Sequence, residues 1–392
     1  MLRLLPLLLL PSAALALDAP VPQGPQNAGY APAFAEQTRA PALATTAVST
    51  TIFAAGLEHP WGIASLPGGQ YLVTERPGRM RVITADGGLS TEIGGLPQVD
   101  ARGQGGLLDV AIGPDFASDR SVWWSYAKPV DGGSVTAVAR GTLSADWSEM
   151  TEVRDIWLQS PAVDTPQHYG SRLVFDRQGH LFITTGERSS ARNRLLAQDL
   201  DATFGKVIRI MPDGGIPADN PFVGVAGDGA VWSYGHRNIQ GAALHPQTGT
   251  LWTVEHGPAG GDELNQPMAG FNYGWPLVSY GVNYNGSALG AGQTSMEGVT
   301  EPVYFWDPVI APGGMLFYQG NSFADWQGDL LIAGLNPGAL VRLQMQGGQV
   351  TGEEHLLTDL GRIRDVEEMA DGDLLLLIDH LNGAVIRVSP GA

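Results

Sequence analysis

Cysteine is absent from all 392 residues, which removes disulfides, thiolate nucleophiles and zinc–thiolate centres from consideration. Positive charge is scarce: 22 Lys and Arg stand against 40 Asp and Glu, a formal net charge of −18. A nucleic-acid partner needs a cationic face that displaces counterions, and no Lys/Arg run offers one. An anionic membrane surface would repel the chain for the same reason. Long apolar runs are missing too; past the first residues nothing approaches the ~20 apolar residues of a spanning helix, so no membrane insertion is expected. A neutral substrate, or a cation such as Ca²⁺, suits this charge.

The chain is rich in turn formers, with 53 Gly and 27 Pro. Its apolar runs are short, which favours strands over helices. At the amino terminus Arg3 precedes an apolar stretch, Leu4 to Leu10, and then Ala14-Leu15-Ala16. That order of basic residue, short apolar core and A-x-A site predicts a cleaved signal peptide over 1–16 and a periplasmic or secreted product. Residues 17–47 are Ala/Pro-rich and aperiodic, and are expected to be a loose leader. The folded domain is expected over 48–392.

From residue 57 one unit recurs: a short apolar strand, a turn, and a second apolar strand. It is found at 62–73, 109–124, 172–184, 241–254, 314–333 and 365–377. Several units continue into a further pair, as at 79–83, 205–210, 339–343 and 384–388. Six units of four short strands predict an all-β fold, a six-bladed β-propeller of four-stranded antiparallel blades. Residues 50–54 precede the first unit and are expected to pair with the last blade, closing the ring and covering a strand edge.

In such a blade, the loop before the first strand and the loop after the second meet at one end of the central channel. The unusual polar residues fall in those loops. His59, Gln104, His168, Arg237, Asn238, Arg362 and Arg364 lie at first strands, and Glu75, Glu187, His256, Asp262 and Asp379 follow second strands. A polar mouth ringed by rigid strands is where a small-molecule pocket is expected. His168 suits removal of a proton from an alcohol, and Glu187 of the same blade can fix its tautomer. Three inward arginines call for a polyanionic ligand. The stretch 255–263 (EHGPAGGDE) combines turn carbonyls with two carboxylates, hard oxygen donors of the kind Ca²⁺ takes, although a plain Gly-rich turn explains it as well.

The stretches 103–109 (GQGGLLD), 168–175 (HYGSRLVF), 234–241 (YGHRNIQG), 255–263, 272–276 (NYGWP) and 361–366 (GRIRDV), taken together, resemble the soluble aldose sugar dehydrogenases that use pyrroloquinoline quinone (PQQ), the family that includes soluble glucose dehydrogenase. The resemblance runs from about residue 56 to the carboxyl terminus. It implies that His168 is the general base on the anomeric hydroxyl, with Glu187 as its partner and Arg237 polarising the quinone carbonyl. It implies Gln104, Arg237, Asn238 and Tyr284 around the cofactor and substrate, and Arg362 and Arg364 on the cofactor's carboxylates. The carbonyls of Gly257 and Pro258 would hold a catalytic Ca²⁺, with Asp262 supporting their turn, and Glu263 and the backbone of Tyr273 a structural one. Two positions depart from the family pattern: Asn336 stands where a lysine is common, and Gln167 precedes the base where soluble glucose dehydrogenase has an acid. The expected partners are an aldose substrate and an electron acceptor that the sequence leaves open, in a monomer or a dimer. The competing readings are a metal-dependent lactonase, using Glu75, Glu187, Asn238 and Asp379 as ligands on the channel axis, and a non-enzymatic sugar- or protein-binding propeller.

Overall fold

A computed structural model describes residues 19–391; the signal peptide expected over 1–16 lies outside the described residues. Six antiparallel sheets form the blades of a propeller. Blade 1 comprises Pro60–Leu66, Gln70–Glu75 and Arg79–Ile83; blade 2 comprises Leu107–Ile112, Ser121–Val130, Gly133–Leu143 and Met150–Leu158. Blade 3 takes Gly170–Phe175, Leu181–Thr185, Lys206–Ile210 and Val231–Tyr234, and blade 4 takes Ile239–Leu244, Leu251–Glu255, Asp262–Asn265 and Tyr304–Trp306. Blade 5 is built from Pro312–Phe317, Leu330–Gly334, Ala339–Gln346 and Gln349–Leu356. Blade 6 is built from Ile363–Glu368, Leu374–Ile378, Gly383–Pro390 and, as its outermost strand, Val48–Leu57. The expected closure is present: Val48 pairs with Pro390 and Leu57 with Gly383, so the two ends of the domain share one sheet. In blade 1 the fourth position is irregular. Residues 89–93 run beside Arg79–Ile83, with Ser90 N–H donating to Val82 O at 2.8 Å and Ile93 N–H to Met80 O at 2.9 Å.

Each blade packs both faces against neighbours, which is why inner strands such as Leu374–Ile378 are buried along nearly their whole length and read as unbroken apolar runs. The core is therefore divided by interface. Leu72 and Trp124 meet between blades 1 and 2, Val138 and Ile183 between 2 and 3, and Val207 and Ile239 between 3 and 4. Val254 and Ile332 join blades 4 and 5, Leu340 and Leu376 join 5 and 6, and Leu377 and Val73 close the circle. Each fully buried side chain of this size contributes about 1.5–3 kcal/mol of transfer free energy.

The channel axis is filled by charge. Arg172 of blade 3 donates to Asp109 of blade 2 at 2.8 Å and to Asp365 of blade 6 at 2.9 Å, and its Nε to the Gln240 carbonyl of blade 4 at 3.1 Å. Asp365 also accepts the Ile63 N–H of blade 1 at 3.3 Å. Blade 5 contributes Gly314, where a Cβ would fall 1.6 Å from Asp365 Oδ1, so only glycine fits. One guanidinium thus ties the inner strands of blades 2, 3, 4 and 6 together.

The Ala/Pro-rich segment is docked rather than loose. The backbone N–H groups of Asn27, Ala28 and Gly29 donate to the Asp307 carboxylate at 2.6–3.0 Å. Further on, Ala40 N–H donates to the Tyr304 hydroxyl at 2.8 Å, and Leu43 N–H to Glu353 O at 2.9 Å. Aperiodicity was a poor guide because this segment adds one irregular layer to the outer strands of blades 4 and 5, and its order comes from tertiary hydrogen bonds.

Candidate active site

The strand ends deliver the polar residues to one mouth. His168, just before the first strand of blade 3, has φ +50°, a left-handed conformation. It is held there by its own backbone, whose N–H donates to Gln104 Oε1 of blade 2 at 2.8 Å. At Gly186, after the second strand, a Cβ would lie 2.1 Å from the His168 carbonyl, so glycine lets the two loops close. That approach brings His168 Nδ1 to 2.9 Å from Glu187 Oε1. The carboxylate accepts the Nδ1 proton, which leaves Nε2 with a free lone pair. His168 is 7% exposed; burial lowers its pKa below the ordinary imidazole value, Arg237 and Arg194 push the same way, and Glu187 pulls against them. The ring is neutral at neutral pH, ready to accept a proton. Asn238 supports this arrangement from blade 4, with its Oδ1 accepting Gly170 N–H at 3.0 Å.

Arg237 lies close enough to His168 for its charge to act on the ring. Its backbone N–H donates to Glu255 Oε2 at 2.6 Å, and its Nη1 to the His256 and Gly257 carbonyls at 3.0 and 2.5 Å. Its guanidinium carbon stands 5.2 Å from the Trp275 ring centre, and its buried Nε has no partner. Tyr284, otherwise 80% exposed, places its hydroxyl 3.5 Å from Arg237 Nη2. Asp262 shapes the turn: one oxygen accepts Gly257 N–H at 2.7 Å and the other accepts Ile310 and Ala311 N–H at 2.9 and 2.7 Å. Burial pushes its carboxyl up to about 6. Glu263, next along, is half-buried with Asn265 Nδ2 at 3.1 Å, and desolvation of its carboxyl and then the Glu255 charge hold it well above the usual range. Pro258, Glu263 and Tyr273 line one small cavity with Arg237 and Gly257.

A cleft of about 390 Å³ opens alongside, lined by Trp61, Arg76, Gln104, Gln240, His256, Leu335, Arg362 and Arg364. Arg364 is buried and donates to Asp379 Oδ2 and Gln240 Oε1, both at 2.8 Å. Arg362 is half exposed, 3.4 Å from Asp379. Burial would raise the Asp379 carboxyl, but Arg364, His59 and Arg362 together hold it well below the usual range. His59 Nδ1 meets the other Asp379 oxygen at 2.8 Å. His256 Nε2 lies 3.1 Å from Gln240 Oε1; as that oxygen already accepts from Arg364, His256 must donate to it. Burial, then Arg237 and Arg364, hold His256 well below the ordinary value, so it too is neutral.

His168, Glu187, Arg237, Asn238, Gln104, Arg362 and Arg364 therefore share one mouth. Two expected residues stand apart from this group in different ways, Asn336 beside the cleft and Glu75 facing away from it. Asn336 is exposed at the turn between the second and third strands of blade 5, and its neighbour Leu335 is the residue that lines the cleft. Glu75 turns away from the mouth, accepting Glu58 N–H at 2.6 Å and pairing with Arg79 at 3.0 Å. Arg76, Gln240 and Trp61 were not singled out by sequence. The signal for Arg76 was its loop, which was identified, but the side chain facing inward is the one after Glu75. The lactonase ligands do not assemble: Glu75, Glu187 and Asp379 each serve a different cation or imidazole, and among the described residues no group of three or more His or carboxylate side chains is arranged to hold a metal.

Fold and site together define a sugar-oxidising enzyme of the six-bladed propeller class. The chain belongs to the Glucose / Sorbosone dehydrogenase family, whose sequence profile matches residues 57–387, and it is an oxidoreductase of the aldose sugar dehydrogenase type. It is 44% identical over 352 residues to the aldose sugar dehydrogenase YliI of Escherichia coli (strain K12), covering 88% of this chain and 94% of that protein. Among solved structures, a glucose dehydrogenase shares 46% identity at a TM-score of 0.84, covering 88% of this chain and 99% of that one. The PQQ-bound form of an aldose sugar dehydrogenase from Streptomyces coelicolor shares 28% identity at a TM-score of 0.72, with 88% and 99% covered.

Proposed function

We propose that the protein oxidises an aldose at its anomeric carbon to the lactone, using PQQ and Ca²⁺. One observation carries the reading: a buried, neutral imidazole tied to a carboxylate opens onto the same mouth as an arginine-lined cleft with excess positive charge. A PQQ-bound relative supports the choice of cofactor, and the donors here suit it. Arg364 and Arg362 would meet its carboxylates, Gln104 and Asn238 would offer it amide groups, and the unpartnered Nε of Arg237 suits a carbonyl oxygen. Calcium fits through donor chemistry. Gly257 and Pro258 offer carbonyls, that of Gly257 also accepting from Arg237 Nη1, while both oxygens of Asp262 are already committed to backbone N–H groups. An ion there would take its negative ligands from a bound polyanion, consistent with a joint site. At Glu263 and the Tyr273 backbone, a second Ca²⁺ would relieve a partly desolvated carboxylate held beside Glu255.

When bound, the quinone supplies the two-electron acceptor for the hydride leaving the anomeric carbon. His168 Nε2 takes the anomeric hydroxyl proton, and Glu187 stabilises the imidazolium that forms and fixes the ring's orientation. Arg237 favours negative charge developing beside it. Tyr284 and Trp275 provide an aromatic wall for the sugar. The signal peptide proposed over 1–16 would deliver the enzyme to the periplasm or beyond; an exported protein that retains those residues contradicts it.

Dye-linked aldose oxidation by purified apoprotein tests the function. Turnover is expected only when both PQQ and Ca²⁺ are added. Gluconolactone hydrolysis without quinone would support a lactonase instead, and sugar binding without any turnover a binding propeller.

A further inference from the structure

The arginine-lined cleft holds more positive charge than its own residues neutralise. Arg76, Arg362 and Arg364 line it. Asp379 is the carboxylate that meets them, 2.8 Å from Arg364 and 3.4 Å from Arg362, so two positive charges are left over in a chain whose net charge is −18. Arg76 is placed for a purpose beyond packing. Its Nε donates to the Gly105 carbonyl at 3.2 Å and its Nη2 to that of Gly103. These bonds occupy one edge of the guanidinium and leave Nη1 free for the cleft. Burial disfavours its charge, Asp379 offsets part of that cost, and Arg362 repels it. The same two bonds grip the loop that carries Gln104, whose Oε1 positions the His168 backbone.

We propose that Arg76 is an anion-binding residue of this mouth, completing with Arg362 and Arg364 a three-guanidinium clamp for the carboxylates of a flat polyanionic ligand. The ligand's identity as PQQ rests on the function proposed above; the clamp itself rests on the charge and geometry of the cleft. Planar guanidiniums match carboxylates through paired N–H donors, and such charge-assisted bonds strengthen where water is excluded.

Titration calorimetry of apoprotein with two probes, PQQ and benzene-1,3,5-tricarboxylate, separates the two ideas. The Arg76→Gln variant is expected to bind both about 10–100-fold more weakly than wild type, with a shallower dependence of affinity on salt. Arg76→Lys, which keeps the charge without the fork, should fall between them. Arg177→Gln removes an equal charge from an exposed turn on the opposite face and should leave both affinities unchanged. Wild-type affinity in Arg76→Gln, even with a lower melting temperature, would overturn the clamp, as would an equal loss in Arg177→Gln. Arg76-dependent binding of the tricarboxylate alone would uphold the clamp and reject PQQ as its ligand.

Discussion

In the proposed reaction His168 can act as a base only while its ring is neutral and its Nε2 faces substrate, and both conditions would come from its neighbours. Burial lowers its pKa, and Glu187, 2.9 Å away, counters that while claiming Nδ1. Replacing Glu187 by Gln keeps a hydrogen-bond acceptor but removes the charge. The pKa of His168 should then fall further, moving the acid limb of kcat/KM to lower pH and reducing the plateau about tenfold or more; an unmoved limb would contradict this account. The sign for stability follows. A histidine whose folded pKa is depressed contributes stability above the ordinary value of 6.5, and loses it as pH falls through the folded value. At this scale the sequence was legible where a residue's loop and chemistry coincide, as for His168, Glu187 and Arg364. It failed where strand parity decides. Glu75 and Arg76 share one loop, but successive side chains point to opposite sides, and Arg76 is the one that reaches the cleft.

At the scale of elements, the closing strand Val48–Leu57 was legible because an unpaired edge demands a partner. The docked segment before it was not, since nothing in an aperiodic Ala/Pro stretch announces hydrogen bonds to residues some 280 positions away. Deleting residues 19–46 should leave the blades formed but unmatch the carboxylates of Asp307 and Glu354, costing about 3 kcal/mol and lowering the melting temperature. An unchanged melting curve would show that the segment carries no stability. The loop between the second and third strands of blade 3 has its own anchor. Lys206 Nζ donates to the carbonyls of Leu196, Ala197 and Phe204 at 2.7–2.9 Å. Three acceptors call for all three ammonium protons, against burial that lowers the pKa to about 7. Lys206→Met should loosen this loop, read as faster hydrogen exchange over 193–205 with little change elsewhere.

Across the whole molecule, six repeats along the chain made the number of blades legible, and their spacing placed the polar loops at one mouth. The hub was not legible, because Arg172, Asp109 and Asp365 lie far apart along the chain and each reads alone as an ordinary strand residue. Arg172→Met would leave two buried carboxylates without their cation and is expected to cost about 3–5 kcal/mol. Burial already raises Asp109 to about 6, so the variant should recover stability as pH drops from 8 to 5 and its carboxyls protonate. Denaturant unfolding at the two pH values checks this, and equal losses at both would contradict it. The central claim is that base and anion clamp serve one reaction at one mouth. Its most direct test is rapid mixing of sugar with PQQ- and Ca²⁺-loaded protein, following the quinone absorbance. The wild type should show sugar-dependent bleaching in a single turnover, and His168→Gln should bind the cofactor equally yet bleach about 10²–10⁴-fold more slowly. Bleaching at the wild-type rate without His168 would contradict the account.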